Sequence, residues 1–316
     1  MCTLSARSSL FPCLFVPCLF VPCFLGALII YPGGSALAQN PPPPDHPAVT
    51  VRGQTYTPRS VLARNMGSEA DRVTQFTPHK IVGNIYYVGT VTLSSFLITT
   101  PEGHILIDST YERNVQTIAK SVADLGFKFS DVKILLGNHA HGDHQEGDAL
   151  VKQMTGAQVM AMAEDVPLLQ AMKPGGKEHP IDKVLHDGDK VTLGGTTLVA
   201  HLTAGHTPGC TTWTTTAQEG GKSYNVMIGC SLRPPATLTP AQADMFNRSF
   251  KTVRALPCDV QLGDHGAQYN MQEKFAKLKD GSPNPFIDPV SCTLEADVQE
   301  AMFHALLAEQ QKDARP

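Results

Sequence analysis

The sequence lacks an excess of basic residues. Its 316 residues include 25 Lys and Arg against 29 Asp and Glu, which gives a formal net charge of -4, and only 17% of the chain is charged. Proteins that bind nucleic-acid phosphates carry a dense basic surface, so this composition disfavours nucleic acid as a partner. With 42% hydrophobic residues, the chain has the composition of an ordinary globular protein, and we expect a small-molecule substrate.

The sequence also lacks a long apolar stretch that is free of helix breakers. Its most apolar segment, residues 10–30, follows Arg7 and contains three prolines spaced five residues apart, which disfavours a continuous helix. The Ala-Leu-Ala sequence at 36–38 is typical of a cleavage site. We interpret residues 1–38 as a signal peptide for export to the periplasm and expect no stable membrane anchor. A retained transmembrane helix is the alternative.

No internal repeat and no second linker interrupts the chain after this leader. Residues 39–50 are rich in proline and predict an extended segment. We predict that residues 51–316 form a single domain, because a two-layered α/β architecture can hold roughly 270 residues. We expect this domain to be a monomer.

Strand patterns and helix patterns follow one another twice along the predicted domain. Runs rich in Ile, Val, Tyr and Thr predict strands, and apolar residues at helical spacing predict helices. The predicted strands are 80–89, 92–99, 104–108, 132–136, 190–193, 196–201, 211–216 and 225–228. The predicted helices are 112–125, 146–155, 163–172, 240–254 and 294–309. This order favours an α/β sandwich of two sheets covered by helices. In the last helix an apolar stripe should face a core; it consists of Leu294, Val298, Met302 and Leu306.

Four cysteines follow the leader. They are Cys210, Cys230, Cys258 and Cys292. An even number of cysteines in an exported chain predicts two disulfides. Three pairings are possible, and proximity in sequence favours Cys210 with Cys230 and Cys258 with Cys292. Four free thiols are the alternative.

Side chains that bind metals are concentrated in the segment 139–144, His-Ala-His-Gly-Asp-His, between the predicted strand 132–136 and the predicted helix 146–155. Its donors are His139, His141, Asp143 and His144. The carboxyl ends of strands open into the crevice where α/β sheets bind ligands. Imidazole and carboxylate both suit zinc, and four donors exceed what one tetrahedral ion needs from a single loop. We therefore predict two metal ions.

Two later histidines lie in glycine-rich turns that can supply the missing donors. His206 lies in Gly-His-Thr-Pro-Gly at 205–209, and His265 lies in Gly-Asp-His-Gly at 263–266. Taken alone, each would more often be a solvated loop residue. The upstream donor segment favours the interpretation that both are metal ligands.

These three motifs together resemble the metallo-β-lactamase superfamily over roughly residues 80–310. The resemblance implies an αββα sandwich of two mixed sheets, with two Zn²⁺ ions in a cleft at its edge. The tri-histidine site of the family is matched by His139, His141 and His206. The second site is matched by Asp143, His144 and His265. Asp108 resembles the buried aspartate that steadies the metal loop, although a strand-end cap is an alternative role.

Finer positions favour subclass B3 within this superfamily. Many relatives place a metal-bridging Asp in the turn that here reads Cys230-Ser231-Leu232, and subclass B1 enzymes place a zinc-binding Cys there and an Arg at the position of His144. His144 together with Ser231 is similar to subclass B3. The resemblance implies hydrolysis of the β-lactam ring of penicillins, cephalosporins and carbapenems, with Asp143 orienting the attacking water, and hence antibiotic resistance. A lactonase or thioesterase on the same fold, and a zinc-binding protein without catalysis, are the alternatives.

Arg233 departs from the subclass B3 pattern, in which several members have a second serine that contacts the drug carboxylate. A guanidinium group can make a charge-assisted contact with such a carboxylate. We therefore predict that Ser231 and Arg233 bind substrate. A surface Arg without a ligand role is the alternative for Arg233.

Overall fold

The computed structural model describes residues 43–278 and 283–313. The predicted signal peptide, residues 1–38, lies outside the described residues, as does the start of the Pro-rich segment. Within the described part of the chain, no helix has the length and the apolar character needed to cross a membrane.

The described residues form fourteen strands and eight α-helices. The strands are β1 Val49–Val51, β2 Gln54–Tyr56, β3 His79–Val82, β4 Ile85–Tyr87, β5 Phe96–Thr100, β6 Gly103–Ile107, β7 Val132–Leu136, β8 Gln158–Met162, β9 Lys183–Leu185, β10 Lys190–Leu193, β11 Thr196–Leu202, β12 Thr211–Glu219, β13 Lys222–Gly229 and β14 Val260–Gly263. The helices are α1 Pro58–Met66, α2 Val115–Asp124, α3 Gly142–Gln145, α4 Asp148–Thr155, α5 Val166–Ala171, α6 Pro240–Ala255, α7 Met271–Lys277 and α8 Leu294–Asp313.

Twelve of the strands build two mixed sheets. The first sheet has seven strands in the order β3-β4-β5-β6-β7-β8-β9, and the second has five in the order β10-β11-β12-β13-β14. In the first sheet β3 to β6 pair antiparallel, while β6 to β9 pair parallel. In the second sheet only the β13–β14 pair is parallel among the described strands. The remaining strands, β1 and β2, form an antiparallel hairpin.

The two sheets pack face to face and are covered by helices on both outer faces. Ile107 of the first sheet and Ile228 of the second belong to the same buried apolar cluster, which lies between the sheets. On the outer face of the first sheet, Leu135 packs with residues of α2 and α4. On the outer face of the second sheet, Met227 packs with Phe246 of α6 and Phe303 of α8. Burying each of these apolar side chains stabilises the fold by about 1.5–3 kcal/mol. The four layers, helices, sheet, sheet and helices, confirm the predicted αββα sandwich.

The predicted apolar stripe of the last helix faces a core, as expected. Val298, Met302 and Leu306 are buried against Tyr56 of β2 and Val61 of α1. Residues 43–48 also contact the domain, because the backbone N–H and the side chain of Arg59 donate hydrogen bonds to the carbonyls of Pro44 and Pro43. The contacts of this domain therefore begin before residue 51.

The prediction of one strand over 80–89 is wrong. The chain forms the hairpin β3–β4 there, and Val82 pairs with Ile85 across a two-residue turn at Gly83 and Asn84. Gly83 has a φ of +55°, a conformation that glycine adopts at little cost. Apolar residues on both sides of the turn are buried. The apolar pattern of the sequence therefore continues across the turn, and this made two strands resemble one.

Both cysteine pairs favoured by proximity in sequence are bonded. Cys210, just before β12, is joined to Cys230, just after β13, with the Cα atoms 5.9 Å apart. Cys258, after α6, is joined to Cys292, before α8, with the Cα atoms 6.0 Å apart. The first bond lies beside the predicted metal ligand His139. The second bond links the segment after α6 to the segment before α8, the two helices that cover the second sheet.

Candidate metal centre

The six predicted metal ligands meet on loops at one edge of the two sheets. Segment 139–144 follows β7, and its last residues begin helix α3. His206 lies on the loop between β11 and β12, and His265 follows β14. Loops held by a rigid sheet scaffold commonly carry functional residues, and here loops from both sheets point to one place.

His139, His141 and His206 form the first donor group. One ring nitrogen from each lies within 4.8 Å of the others, and Nε2 of His139 is 3.0 Å from Nδ1 of His141. Burial lowers the pKa of His139 to about 3 and holds the pKa of His206 well below its usual value. These imidazoles are therefore neutral at neutral pH, which is the form that binds zinc.

Asp143, His144 and His265 form the second donor group. Their ligand atoms also lie within 4.8 Å of one another, and Oδ2 of Asp143 is 3.4 Å from Nε2 of His144 and 3.8 Å from Nε2 of His265. Nε2 of His144 is buried and has no hydrogen-bond partner among the described residues. A buried polar atom without a partner is costly, so this nitrogen fits a metal ligand.

The orientation of three of the rings is fixed from behind, through Nδ1. Nδ1 of His139 faces the carboxylate of Asp264 at 3.3 Å, and Nδ1 of His144 faces that of Asp108 at 3.2 Å. Nδ1 of His206 lies 3.0 Å from the carbonyl of Arg233. Metal-binding histidines usually donate their other N–H to such an acceptor. Each contact occupies Nδ1, so Nε2 is the ring nitrogen that remains to bind a metal.

His144 lies between two carboxylates, and this determines its charge. Burial lowers the pKa of His144, but Asp143 and Asp108 outweigh burial and hold its pKa well above the usual value. Burial raises the pKa of Asp143, but His144 and His265 lower it by more than burial raises it, so its pKa lies well below the usual value. A metal at Nε2 of His144 must replace a proton, and metal binding should therefore release one.

Asp108 lies behind segment 139–144, as the resemblance to the family predicts. Its buried carboxylate accepts hydrogen bonds from the backbone N–H of Asn138 at 2.8 Å and from Nδ1 of His144. Burial raises the pKa of Asp108 to about 6. The residue has a φ of +61°, a conformation that is uncommon for a side-chain-bearing residue and that persists only where surrounding contacts hold it.

Ser231 lines the cavity at the two donor groups, but its hydroxyl group forms hydrogen bonds within the protein. It donates a hydrogen bond to Oδ1 of Asp264 at 2.9 Å and accepts one from Nε2 of Gln268 at 3.0 Å. The backbone N–H of Ser231 donates to Oδ2 of Asp264 at 2.7 Å. Asp264 also lies near His139 and His144 in a third possible donor group. Because its oxygens are already used by these donors, we interpret Asp264 as support for His139.

Arg233 lines a cavity of about 200 Å³ above the two donor groups. The other lining residues are Leu62, Asn65, Met66, His139, His141, Asp143, His206, Ser231 and His265. Burial lowers the pKa of Arg233, while the negative charges of Asp143 and Asp264 oppose that shift. Burial lowers the pKa values of His141, His206 and His265, and the positive charge of Arg233 also contributes to lowering them, so this cation lies near both donor groups.

Comparison with known proteins agrees with this geometry. The family model for the metallo-beta-lactamase superfamily matches residues 88–218. The FEZ-1 metallo-beta-lactamase of Legionella gormanii is 41% identical, with a TM-score of 0.71, and the alignment covers 75% of this chain and 98% of that one. The chain belongs to the metallo-β-lactamase superfamily. BJP-1, a subclass B3 metallo-beta-lactamase of Bradyrhizobium japonicum, is 36% identical with a TM-score of 0.72, over 78% of this chain and 98% of that one.

A third match is more distant. A probable metallo-hydrolase of Burkholderia pseudomallei (strain 1710b) is 29% identical over 167 residues, which is 46% of this chain and 54% of that protein. The match therefore spans about half the length of that relative. The proteins that this chain resembles therefore have names that describe metal-dependent hydrolases.

Sequence reasoning missed part of the metallo-β-lactamase site. Helix α1 supplies Leu62, Asn65 and Met66 to the wall of the cavity, although no helix is predicted there. The signal that was present is the N-terminal capping box, in which Thr57 and Ser60 bind each other's backbone N–H. For Asp264 the signal was its place next to His265 in the glycine-rich turn.

Proposed function

We propose that this protein is a periplasmic subclass B3 metallo-β-lactamase that hydrolyses penicillins, cephalosporins and carbapenems with two zinc ions and thereby confers antibiotic resistance. The observation that carries the proposal is the makeup of the second donor group. It consists of Asp143, His144 and His265, while Cys230 is bonded to Cys210. A sulfur in a disulfide is not a thiolate and does not act as a zinc ligand of the B1 type.

Asp143 is the residue best placed to act on water. The two donor groups would hold two zinc ions, which would lower the pKa of a water molecule toward about 7 and polarise a carbonyl. Burial raises the pKa of Asp143, but the neighbouring histidines lower it well below its usual value, so the carboxylate is ionised and can accept a hydrogen bond from the attacking water. Hydrolysis breaks the ring C–N bond, and the carbon takes the hydroxyl while the nitrogen takes the proton. The low pKa of Asp143 suits it to orient the attacking water through a hydrogen bond rather than to keep a proton, so the proton that the nitrogen takes comes from water.

Arg233 supports recognition of a substrate that carries a carboxylate. Arg233 lines the cavity next to both donor groups, and its positive charge interacts with Asp143 and Asp264. An arginine–carboxylate contact can use two parallel N–H donors. The hydroxyl of Ser231 is held by Asp264 and Gln268. We therefore infer that Arg233 binds the carboxylate of the drug and that Ser231 forms part of the cavity wall.

The test is hydrolysis by purified, zinc-loaded protein of nitrocefin, a penicillin, a cephalosporin and a carbapenem, compared with a lactone and a thioester. We expect the β-lactams to be cleaved fastest and Asp143→Asn to abolish their turnover. The matched control is Asp244→Asn, because Asp244 is an exposed carboxylate on α6. Faster cleavage of the lactone or thioester would identify another hydrolase of this fold, and turnover that persists in Asp143→Asn would exclude the assigned role.

Export is proposed from the sequence of the leader. Mass spectrometry of the protein from the periplasm of an expressing bacterium should give a chain that begins near Gln39. A chain that retains residues 1–38 in the mature protein would contradict it.

A further inference from the structure

Asp165 is a buried carboxylate that belongs to neither donor group. It lies between β8 and α5, at the N-cap position of α5, but its side chain makes no capping hydrogen bond to that helix. Its oxygens accept three hydrogen bonds from elsewhere. Oδ2 accepts from the backbone N–H of Ala140 and from Oγ1 of Thr207, both at 2.8 Å, and Oδ1 accepts from the backbone N–H of Gly209 at 2.6 Å.

These three donors lie on the two loops that carry the tri-histidine group. Ala140 is between His139 and His141, on the loop that follows β7 of the first sheet. Thr207 follows His206, on the loop between β11 and β12 of the second sheet. A single carboxylate therefore joins loops from different sheets at the point where their histidines must approach one another.

The glycine at the end of the Gly-His-Thr-Pro-Gly motif is explained by the same contact. A Cβ atom on Gly209 would lie 2.6 Å from both the backbone nitrogen and the Cβ of Asp165. Real Cβ atoms do not approach so closely, and the obstacle is partly backbone, which cannot turn aside. The loop therefore packs directly against Asp165, so the carboxylate is enclosed by the groups that it binds.

The energetics of this contact favour a positioning role. A buried carboxylate is stable only when hydrogen bonds replace its lost hydration, and hydrogen bonds to a charged group are stronger than neutral ones. Asparagine at this position cannot replace all three bonds, because its amide has one acceptor oxygen and its NH₂ group would face an N–H or O–H donor.

We propose that Asp165 is a positioning residue that sets the distance between the His139–His141 loop and the His206 loop, and so determines the zinc affinity of the tri-histidine group. The inference rests on the proposed zinc binding by that group. It does not depend on which substrate the enzyme hydrolyses.

The experiment measures zinc affinity by competition with a chromophoric chelator, in a His265→Ala background in which the second donor group is incomplete. We expect Asp165→Asn to weaken zinc binding by roughly 10- to 100-fold, the usual effect of losing a residue that supports metal ligands. The absorption spectrum of the Co²⁺-loaded protein should change as well, because it reports the geometry of the ligands.

Two matched comparisons separate positioning from a general loss of stability. Thr207→Val removes the hydroxyl at nearly constant shape and should weaken zinc binding, while Thr207→Ser retains the donor and should restore it to within about twofold of the parent. Asp259→Asn removes a carboxylate that accepts two hydrogen bonds from Asn225 at the other end of β14. It should lower the thermal midpoint without changing zinc affinity.

Unchanged zinc affinity in Asp165→Asn, or an equal loss in Asp259→Asn, would overturn the proposal. If Asp165→Asn does not fold, the Thr207 pair decides, and equal affinities for the valine and serine variants would overturn it. Protein that binds zinc tightly but hydrolyses no β-lactam would refute the proposed function and leave this inference standing. Wild-type protein that binds no zinc would refute both.

Discussion

Replacing both Cys210 and Cys230 by serine tests whether this position supplies structure or a metal ligand. Their bond spans 20 residues of sequence, and closing a loop of that length stabilises a protein by about 3 kcal/mol through the entropy of the unfolded chain. The sulfur of Cys230 lies 3.6 Å from Nδ1 of His139, on the side of the ring that faces away from the other donors. We therefore expect a loss of about 3 kcal/mol in the free energy of unfolding, with zinc retained by both donor groups.

The assay combines urea unfolding, zinc content and nitrocefin turnover by the folded fraction. The control is the double serine variant at Cys258 and Cys292, whose bond spans 34 residues and should contribute about 4 kcal/mol on the same basis. His144→Ala should behave in the opposite way for the metal, because it removes one of three predicted ligands from the second group while both disulfides stay in place. If the Cys210 and Cys230 variant loses one zinc and His144→Ala keeps both, the assignment of the second group is wrong.

Zinc content, substrate affinity and the pH dependence of stability provide three further tests. Wild-type protein should bind two zinc equivalents, and removing them with a chelator should abolish turnover until zinc is restored; one equivalent under zinc excess would contradict the two-site arrangement. Arg233→Ala should raise KM for a carboxylate-bearing β-lactam by roughly 10- to 150-fold, since a hydrogen bond to a charged group is worth about 1.5–3 kcal/mol, whereas an unchanged KM would remove Arg233 from recognition. For His179, burial lowers the pKa but the carboxylate of Asp148 raises it more, so its pKa lies above the usual value. The stability that this pair contributes is fully present below about pH 6.5 and is lost as the pH rises through the folded-state pKa; urea unfolding between pH 5 and pH 9, expressed relative to His179→Gln, should show that decline, and parallel curves would refute it.

The elements that could be predicted from sequence are those whose burial pattern is regular and local. β7 has the predicted bounds, Val132–Leu136, because its short run is apolar except for Lys133 and lies between Asp131 and Gly137. α6 begins at Pro240 as predicted, after a Thr239 capping box with proline in the first turn. In both cases the signal lies within the element itself.

The elements that were not predicted depend on contacts with distant parts of the chain. Helix α1 buries only Val61 and Asn65, so it has no apolar stripe, and it is held by α8 and β2 through Val61. β8 has the sequence Gln-Val-Met-Ala-Met, whose Met and Ala are helix formers, but it is paired in parallel with β7 and β9. In both, tertiary packing decides a structure that local propensity leaves open.

The candidate site divides in the same way. Histidine and aspartate are rare enough in such spacing that the six ligands could be named from sequence, and the structure brings them into two groups. The acceptors that orient the ligands could not be named, because Asp264 and the carbonyl of Arg233 reach His139 and His206 from other elements. A carboxylate such as Asp165 looks like an ordinary loop residue until the fold buries it against two loops.

The predicted ligands and the residues around them have separate roles in this site. The ligand identities determine that metal binds, but the acceptors behind the rings determine which nitrogen faces the metal and how far apart the loops stand. For the proposed enzyme we expect substrate choice to depend on the other residues that line the cavity, among them Arg233 and the α1 residues Leu62, Asn65 and Met66. Since α1 comes from a part of the chain far from every metal ligand, its sequence can change without disturbing the chemistry below it, and substrate range should therefore respond to substitutions in α1 before metal binding does.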